Sequence, residues 1–214
     1  TIGRGLKASC KRGLRHERQI GIQSVTALPP TMPPIHLSDR QRLDWLRLIR
    51  SENVGPATFR DLLRHFGSAA AALEGIPDLV KRSGRRIRLA SSEEAEREIA
   101  GHAAIGARLV AISDPDYPQW LRAIDAAPPL LSMRGGGAAL MERPMIAIVG
   151  ARNASVAGRK IAAMIAAELG TDGFVVASGL ARGIDAAAHE ASLGGGTVAA
   201  YAGGLDRLYP PENA

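Results

Sequence analysis

Cysteine is nearly absent from this 214-residue chain, which contains Cys10 alone. One cysteine cannot form a disulfide within the chain, and it cannot supply the paired thiolates of a cysteine-based zinc site. No other spacing of His, Cys and carboxylate residues is typical of zinc, so we predict no metal site. Because structural disulfides mark oxidising compartments, this composition favours a cytoplasmic location.

Long hydrophobic runs are also missing. No apolar stretch approaches the ~20 residues that a membrane-spanning helix needs. The N-terminus is basic but lacks the apolar segment of a secretory signal. We therefore predict that the protein does not associate with a membrane.

Aromatic residues are few, with two Trp, three Tyr and three Phe. Their scarcity argues against a nucleic-acid surface built mainly from exposed stacking rings. The net charge does not identify a binding partner. Residues 1–36 hold +5 (six basic and one acidic residue) of the formal +6, which leaves +1 for the rest of the chain. The positions of particular charges are therefore more informative than their total.

The order of patterns along the chain predicts three regions. Residues 1–37 are interpreted as a disordered basic arm that ends in a proline-rich linker. Residues 38–106 show helical apolar faces, starting at the Ser38 cap, and predict a small all-helical domain whose third helix ends near Gly75. Residues 107–214 alternate short apolar strands with helices, which predicts an α/β domain with a Rossmann-like parallel sheet. Three strands leave such a sheet incomplete, so we expect a truncated C-terminus and a longer parent protein.

The turn Val54-Gly55-Pro56 separates the first two predicted helices. It resembles the hairpin of helix-hairpin-helix modules, which hold a phosphate through backbone amides. A plain turn within a helical domain is the simpler interpretation, and we prefer it.

Loops that follow the strands are the candidate site, because ligands of open parallel sheets bind beyond the carboxyl ends of the strands. Glycines let backbone amides approach an anion, and the helix N-termini that follow favour negative charge. Arg152 and Arg182 lie in the first two loops, so both guanidinium groups are expected to face one crevice and bind phosphate. The predicted nucleic-acid-binding residues are Gly150, Arg152, Ser155, Ser178, Gly179, Arg182 and Gly183.

Cofactor and catalytic motifs are absent from these loops. Arg152 stands where a G-x-G-x-x-G fingerprint requires its second glycine, and no Gly-Lys-Ser/Thr triplet follows, so we predict no nucleotide cofactor. Asp185 and His189 lie four residues apart on one helix face, but no nucleophile or metal accompanies them. We expect Asp185 to cap its helix or bind a loop amide, and His189 to satisfy Asp185.

The loop sequences resemble the DNA processing protein A family (DprA, also called Smf). Weaker support comes from the Val54-Gly55-Pro56 turn and from Asp116-Tyr117-Pro118, and the resemblance runs from about Leu43 to the end. The segments that carry it are residues 146–155 with Gly158, residues 178–189, Gly203-x-Leu205-Asp206, and Tyr209-Pro210-Pro211-Glu212-Asn213.

This resemblance implies a helical domain like the sterile alpha motif (SAM-like), followed by an extended Rossmann domain that binds single-stranded DNA through Arg152 and Arg182. It also implies that the protein helps to load the recombinase RecA onto DNA strands during natural transformation and recombination, and that it forms a homodimer through the Rossmann domain. Arg182 stands where many members have Lys, Ala151 stands where Ser or Thr is usual, and a downstream Asn-Arg motif is missing.

Two other functions are compatible with the residues. A Rossmann-type nucleoside-monophosphate hydrolase would need a catalytic carboxylate in the crevice, for which Asp185 and Asp206 are the candidates. A partner-binding scaffold would use the Rossmann half mainly for dimerisation. Since no nucleophile with a base and no metal site is evident, a non-catalytic single-stranded DNA binder is the favoured interpretation.

Overall fold

A computed structural model describes residues 36–83, 87–136 and 138–213. The predicted basic arm therefore lies outside the described residues except for its last two positions. The elements, in chain order, are α1 (Asp39–Arg50), α2 (Pro56–Phe66), α3 (Ala69–Ser83), α4 (Ser92–Ala104), β1 (Ala107–Ala111), α5 (Gln119–Arg122), β2 (Leu130–Arg134), α6 (Ala138–Met141), β3 (Met145–Ala147), α7 (Val156–Thr171), β4 (Val175–Ser178), α8 (Ile184–Ser192), β5 (Thr197–Ala199) and a 3-10 turn (Pro211–Asn213).

Helices α1 and α4 begin at serine caps. The Ser38 hydroxyl accepts a hydrogen bond from the Gln41 amide at 3.2 Å, and the Ser91 hydroxyl accepts one from the Glu94 amide at 3.1 Å. The side chains of Gln41 and Glu94 accept in return from the amides of the capping residues. These capping boxes satisfy donors that the first helical turn would leave unpaired, which explains why α1 starts at Ser38 as the sequence predicts.

Helix α3 is longer than predicted. The expectation that it ends near Gly75 is wrong, because α3 continues through Gly75 and Pro77. A Cβ atom at Gly75 would overlap the Phe66 ring, so glycine serves here to let α3 pack closely on α2. Leu73 and Ile76 are buried in a core shared with α1 and α2. Tertiary packing therefore outweighs the local preference of glycine and proline for ending a helix.

Strands β1 and β2 form an antiparallel pair of their own. Leu109 of β1 and Leu130 of β2 pack against Leu43, Leu46 and Ala95 of helices α1 and α4. The pair thus extends the apolar core of the helical region and does not join the parallel sheet. The boundary at residues 106 and 107 between the two predicted domains stays a prediction.

Asp114 fixes the loop after β1 to α1. Its carboxylate accepts hydrogen bonds from the Arg42 guanidinium and from the Ala111 amide, both at 2.8 Å. Burial alone would raise the pKa of Asp114, but these hydrogen bonds outweigh burial and hold the pKa below its ordinary value. A carboxyl group with a lowered folded-state pKa contributes stability above its unfolded pKa of about 3.9, and this stability is lost as pH falls through the folded-state pKa.

We expect Asp114→Asn to make stability less dependent on pH in the acid range. Urea unfolding at a series of pH values below about 4 should show a smaller fall in unfolding free energy for the variant than for the wild-type chain. Asp125→Asn, which changes an exposed carboxylate, is the matched control and should behave as wild type. Equal pH dependence in Asp114→Asn and wild type would contradict this account.

Strands β3, β4 and β5 form a parallel sheet in sequential order. Met145 pairs with Val175, and Val176 pairs with Thr197. Helices α7 and α8 connect the strands, and right-handed crossovers between sequential parallel strands place both helices on one face. Their shared core includes Ala166 of α7, Val176 of β4 and Ala188 of α8. The predicted class, a Rossmann-like α/β unit preceded by a helical domain, is confirmed.

Candidate nucleic-acid interface

The first two strand-end loops pack directly against each other. Gly183 has φ = +82°, and a Cβ atom at this position would overlap the carbonyl oxygens of Ala151 and Arg152. The Ile184 amide donates to the Ala151 carbonyl at 3.3 Å. Glycine is required at residue 183 both for its backbone conformation and for this close approach. The contact brings Arg152 of the first loop beside the residue that follows Arg182 in the second.

Arg152 is exposed on the first loop. It forms no hydrogen bond or ion pair with any other residue that the structure describes. Gly150 is also exposed, and it lies against the Ile184 side chain at the start of α8. Ser155 caps α7 by accepting from the Gly158 amide at 3.1 Å, and its exposed hydroxyl can still donate its proton.

The second loop is folded around a buried carboxylate. Oδ2 of Asp185 accepts from the Gly179 amide at 3.1 Å and from the Ala181 amide at 3.4 Å. Leu180 between them has φ = +59°, a left-handed conformation that is rare for a residue with a side chain. The expected role of Asp185 as an acceptor for loop amides is thereby confirmed. These two amides are occupied from inside the protein, so they offer nothing to an external phosphate.

Ser178 and His189 are also engaged inside the fold. The Ser178 hydroxyl donates to the Ile148 carbonyl at 2.5 Å and ties the end of β4 to the end of β3. Nδ1 of His189 lies 2.7 Å from the Thr197 hydroxyl, which itself donates to the Val176 carbonyl. Because that hydroxyl uses its proton on Val176, it accepts from His189, so His189 carries its proton on Nδ1.

The expectation that His189 satisfies Asp185 is therefore wrong. The start of β5 places Thr197 beside α8, and this neighbour cannot be identified from helical spacing alone. Burial lowers the pKa of His189, although the charge of Asp185 opposes the shift. His189 is thus a neutral residue of the interior that helps to join α8 to β5.

A segment to which the sequence assigns no role completes the edge of the site. We call residues 209–213 the closing segment. Oε1 of Glu212 accepts from Nε of Arg182 at 2.6 Å, and the Asn213 side chain donates to the carbonyls of Leu180 (2.9 Å) and Ala181 (3.3 Å). The only signal in the sequence is the Tyr-Pro-Pro-Glu-Asn motif, which by itself indicates no contact.

Arg182 and Glu212 influence each other's protonation. The hydrogen bond and charge of Glu212 raise the pKa of Arg182 above its already high ordinary value. The backbone amide of Glu212, followed by Arg182, holds the pKa of the Glu212 carboxyl below its ordinary value. Both groups are therefore charged at neutral pH. Since Glu212 contacts Nε, the two Nη groups of Arg182 remain as donors for an anion.

Membrane-spanning helices and metal clusters are both missing from the part of the chain that the structure describes. No helix there has the length and apolar character needed to cross a membrane. Nor do three or more His, Cys, Asp or Glu side chains come together among these residues as metal ligands.

A parallel sheet with glycine- and arginine-bearing loops at its carboxyl edge defines a Rossmann-like protein. Residues 108–214, half of the chain, match the family model for DNA recombination-mediator protein A. The chain belongs to this family. Residues 39–101 match the model for the DprA-like N-terminal HHH domain, where the resemblance had implied a SAM-like domain. This match favours the helix-hairpin-helix interpretation of Val54-Gly55-Pro56 over the plain turn that we preferred.

Similar proteins carry the same family name. DNA processing protein DprA of Bacillus subtilis is 36% identical over 119 residues, which are 55% of this chain and 40% of that protein. Protein Smf of Synechocystis is 30% identical over 194 residues, 83% of this chain and 48% of that protein. The X-ray structure of DNA processing protein A from Streptococcus pneumoniae matches with a TM-score of 0.53 and 30% identity, over 83% of this chain and 57% of that chain. The chain thus spans about half the length of these relatives.

Proposed function

We propose that this protein is a non-catalytic binder of single-stranded DNA, and that Arg152 and Arg182 hold neighbouring phosphates at the carboxyl edge of the sheet. The observation that carries the proposal is the packing of Gly183 against the first loop, which brings the two arginine-bearing loops together. Arginine guanidinium groups suit this role because they are always charged and bind phosphate in a bidentate manner. Membership of a family named for DNA recombination and DNA processing supports the same ligand.

The predicted site residues have different parts in this proposal. Arg152, Arg182 and the hydroxyl of Ser155 are exposed and would contact phosphates. Gly150 and Gly183 would act by letting the two loops pack against each other, since Gly150 lies against the Ile184 side chain and Gly183 against the carbonyls of Ala151 and Arg152. The predicted contacts of Ser178 and Gly179 are reinterpreted as positioning, because their polar groups bond to Ile148 and Asp185. Since such contacts read the backbone and not the bases, we expect weak sequence preference.

The biological setting is part of the same proposal. In it the protein is a cytoplasmic homodimer that pairs through the Rossmann domain and helps to load RecA onto single strands during natural transformation and recombination. This part depends on the resemblance of the loop motifs to the family. The described residues contribute the DNA-binding edge on which RecA loading would depend.

The nucleoside-monophosphate hydrolase is less well supported by the geometry. Its first candidate carboxylate, Asp185, is 6% exposed and accepts two loop amides, so it is poorly placed to act on a bound nucleotide. Asp206 is exposed, but a hydrolase would need it to be held beside the scissile bond.

Binding to a series of oligothymidylates, monitored by fluorescence anisotropy, distinguishes the three functions. We expect affinity to increase with oligonucleotide length and to exceed the affinity for heparin. Binding of a free mononucleotide with release of its base would support the hydrolase instead. Equal affinity for heparin and oligonucleotides would support the scaffold, and either result would contradict the proposal.

Glu212→Gln is expected to strengthen oligonucleotide binding by about threefold to fivefold, which is the scale of an exposed ion pair. The carboxylate offsets the charge of Arg182 in the unbound protein, so its removal leaves more positive charge for a phosphate. The slope of log K against log salt should become steeper as well.

Asp206→Asn is the matched control for that variant. It removes one exposed negative charge from the same C-terminal stretch, but its side chain pairs with no arginine or lysine among the described residues. We expect a smaller gain in affinity than for Glu212→Gln. If the two variants gain equally, a general change in net charge would explain the result and the specific role of Glu212 would be wrong.

A further inference from the structure

The ring of Tyr209 is exposed to solvent, and the backbone that follows it is anchored to the rest of the protein. The side chain is 63% exposed, whereas Pro210, the next residue, is fully buried. Asn213, four residues on, is held to the second loop by two hydrogen bonds. The closing segment is therefore anchored on the C-terminal side of Tyr209, while the ring itself has solvent around most of its surface.

The ring belongs to the segment that contacts the arginine that we assign to phosphate binding. Glu212, three residues after Tyr209, contacts Nε of Arg182 at 2.6 Å. The Tyr209 phenol also lies within electrostatic range of the Arg182 guanidinium. An exposed aromatic ring of the closing segment and a phosphate donor of the second loop thus lie in the same part of the site.

We propose that Tyr209 is a base-stacking subsite, on which one nucleobase of a strand held by Arg182 packs its face. This inference rests on the proposed function. Every nucleobase has an aromatic face, so a single ring can hold any base without reading its identity. Duplex DNA keeps its base faces stacked inside the helix, so the subsite accepts only a single strand. Two arginines would bind the phosphates of either form, and Tyr209 therefore supplies the preference for single strands.

One ring is compatible with the low aromatic content of the chain. Most of the other large aromatic side chains are used in the interior, as Phe59 and Tyr117 show with 1% exposure each. Trp120 on α5 is 52% exposed, but it lies outside the strand-end loops and the closing segment. It therefore provides a matched control for the loss of an exposed aromatic ring.

The test compares Tyr209→Ala, Tyr209→Phe and Trp120→Ala with the wild-type chain in oligothymidylate binding. Tyr209→Ala should weaken binding by about tenfold, the scale of one stacked base, while Tyr209→Phe and Trp120→Ala should bind as wild type does. Because the ring is uncharged, the salt dependence of Tyr209→Ala should equal that of the wild-type chain. Affinity for a duplex of the same length should be unchanged.

A second variant gives a direct signal that does not depend on loss of binding. In Tyr209→Trp, stacking of a base on the new indole should quench its fluorescence on addition of oligothymidylate, beyond any change seen in the wild-type chain. Unchanged affinity in Tyr209→Ala, or absence of extra quenching in Tyr209→Trp, would overturn the subsite. If the wild-type chain itself bound no oligonucleotide, the proposed function would fail; loss of the subsite alone would leave wild-type binding and its dependence on Arg152 intact.

Discussion

Arg152→Ala is expected to weaken binding of a single-stranded oligonucleotide by about 10- to 150-fold. That range corresponds to the loss of one charge-assisted hydrogen-bonding contact, worth about 1.5–3 kcal/mol. Arg152 is exposed beside the packed pair of loops, and no acidic side chain among the described residues offsets its charge. Fluorescence anisotropy at one low salt concentration measures the loss directly.

Substitutions of two other arginines provide the comparison for the affinity loss in Arg152→Ala. Arg159 is exposed on α7 but lies outside both loops, and Arg159→Ala should lose less affinity than Arg152→Ala. Arg182→Ala should also lose less, because Glu212 already offsets the Arg182 charge in the unbound protein. Equal binding by Arg152→Ala and wild type would show that the first loop does not hold phosphate.

Asp185→Ala is expected to lower the free energy of unfolding by about 2–4 kcal/mol. The variant removes the acceptor of the Gly179 and Ala181 amides, and an unpaired buried donor costs about 1–3 kcal/mol. The second loop would lose the arrangement that places Arg182, so DNA affinity should fall together with stability. Urea denaturation and oligonucleotide binding measure the two effects.

Glu190→Ala is the control for this variant, because Glu190 is an exposed acidic residue on the same helix. It should change neither stability nor binding by a comparable amount. If Asp185→Ala kept wild-type stability, the carboxylate would not support the loop. A stable variant that lost base-releasing activity would instead assign Asp185 to catalysis.

The sequence is sufficient to predict the elements and the edge that hold the site. Short apolar strands alternating with helices predict a parallel sheet. Neighbouring parallel strands need a long crossover connection, and that connection is usually a helix. Carboxyl ends of such strands lie at one edge, so the order of the elements alone places Arg152 and Arg182 together. Serine caps such as Ser38 and Ser155 act within three residues and are therefore visible in the sequence.

Features that depend on distant neighbours could not be predicted. Gly75 does not end α3. A glycine is needed there because a Cβ atom would overlap the Phe66 ring of another helix. Glu212 pairs with Arg182 across 30 residues, and no local pattern indicates that pair. His189 likewise bonds to Thr197, a partner that no local pattern indicates because it lies on the strand that follows the helix. In each case the contact is made with a residue that lies in another element and is brought near by tertiary packing.

The salt dependence of oligonucleotide binding tests the central claim most directly. Each phosphate contact on a single strand contributes roughly 0.7 to the slope of log K against log salt. We predict that Arg152→Ala flattens the slope by about 0.7 and that Arg182→Ala flattens it by up to about 0.7. An unchanged slope in both variants would contradict the assignment of this edge of the sheet to DNA phosphates.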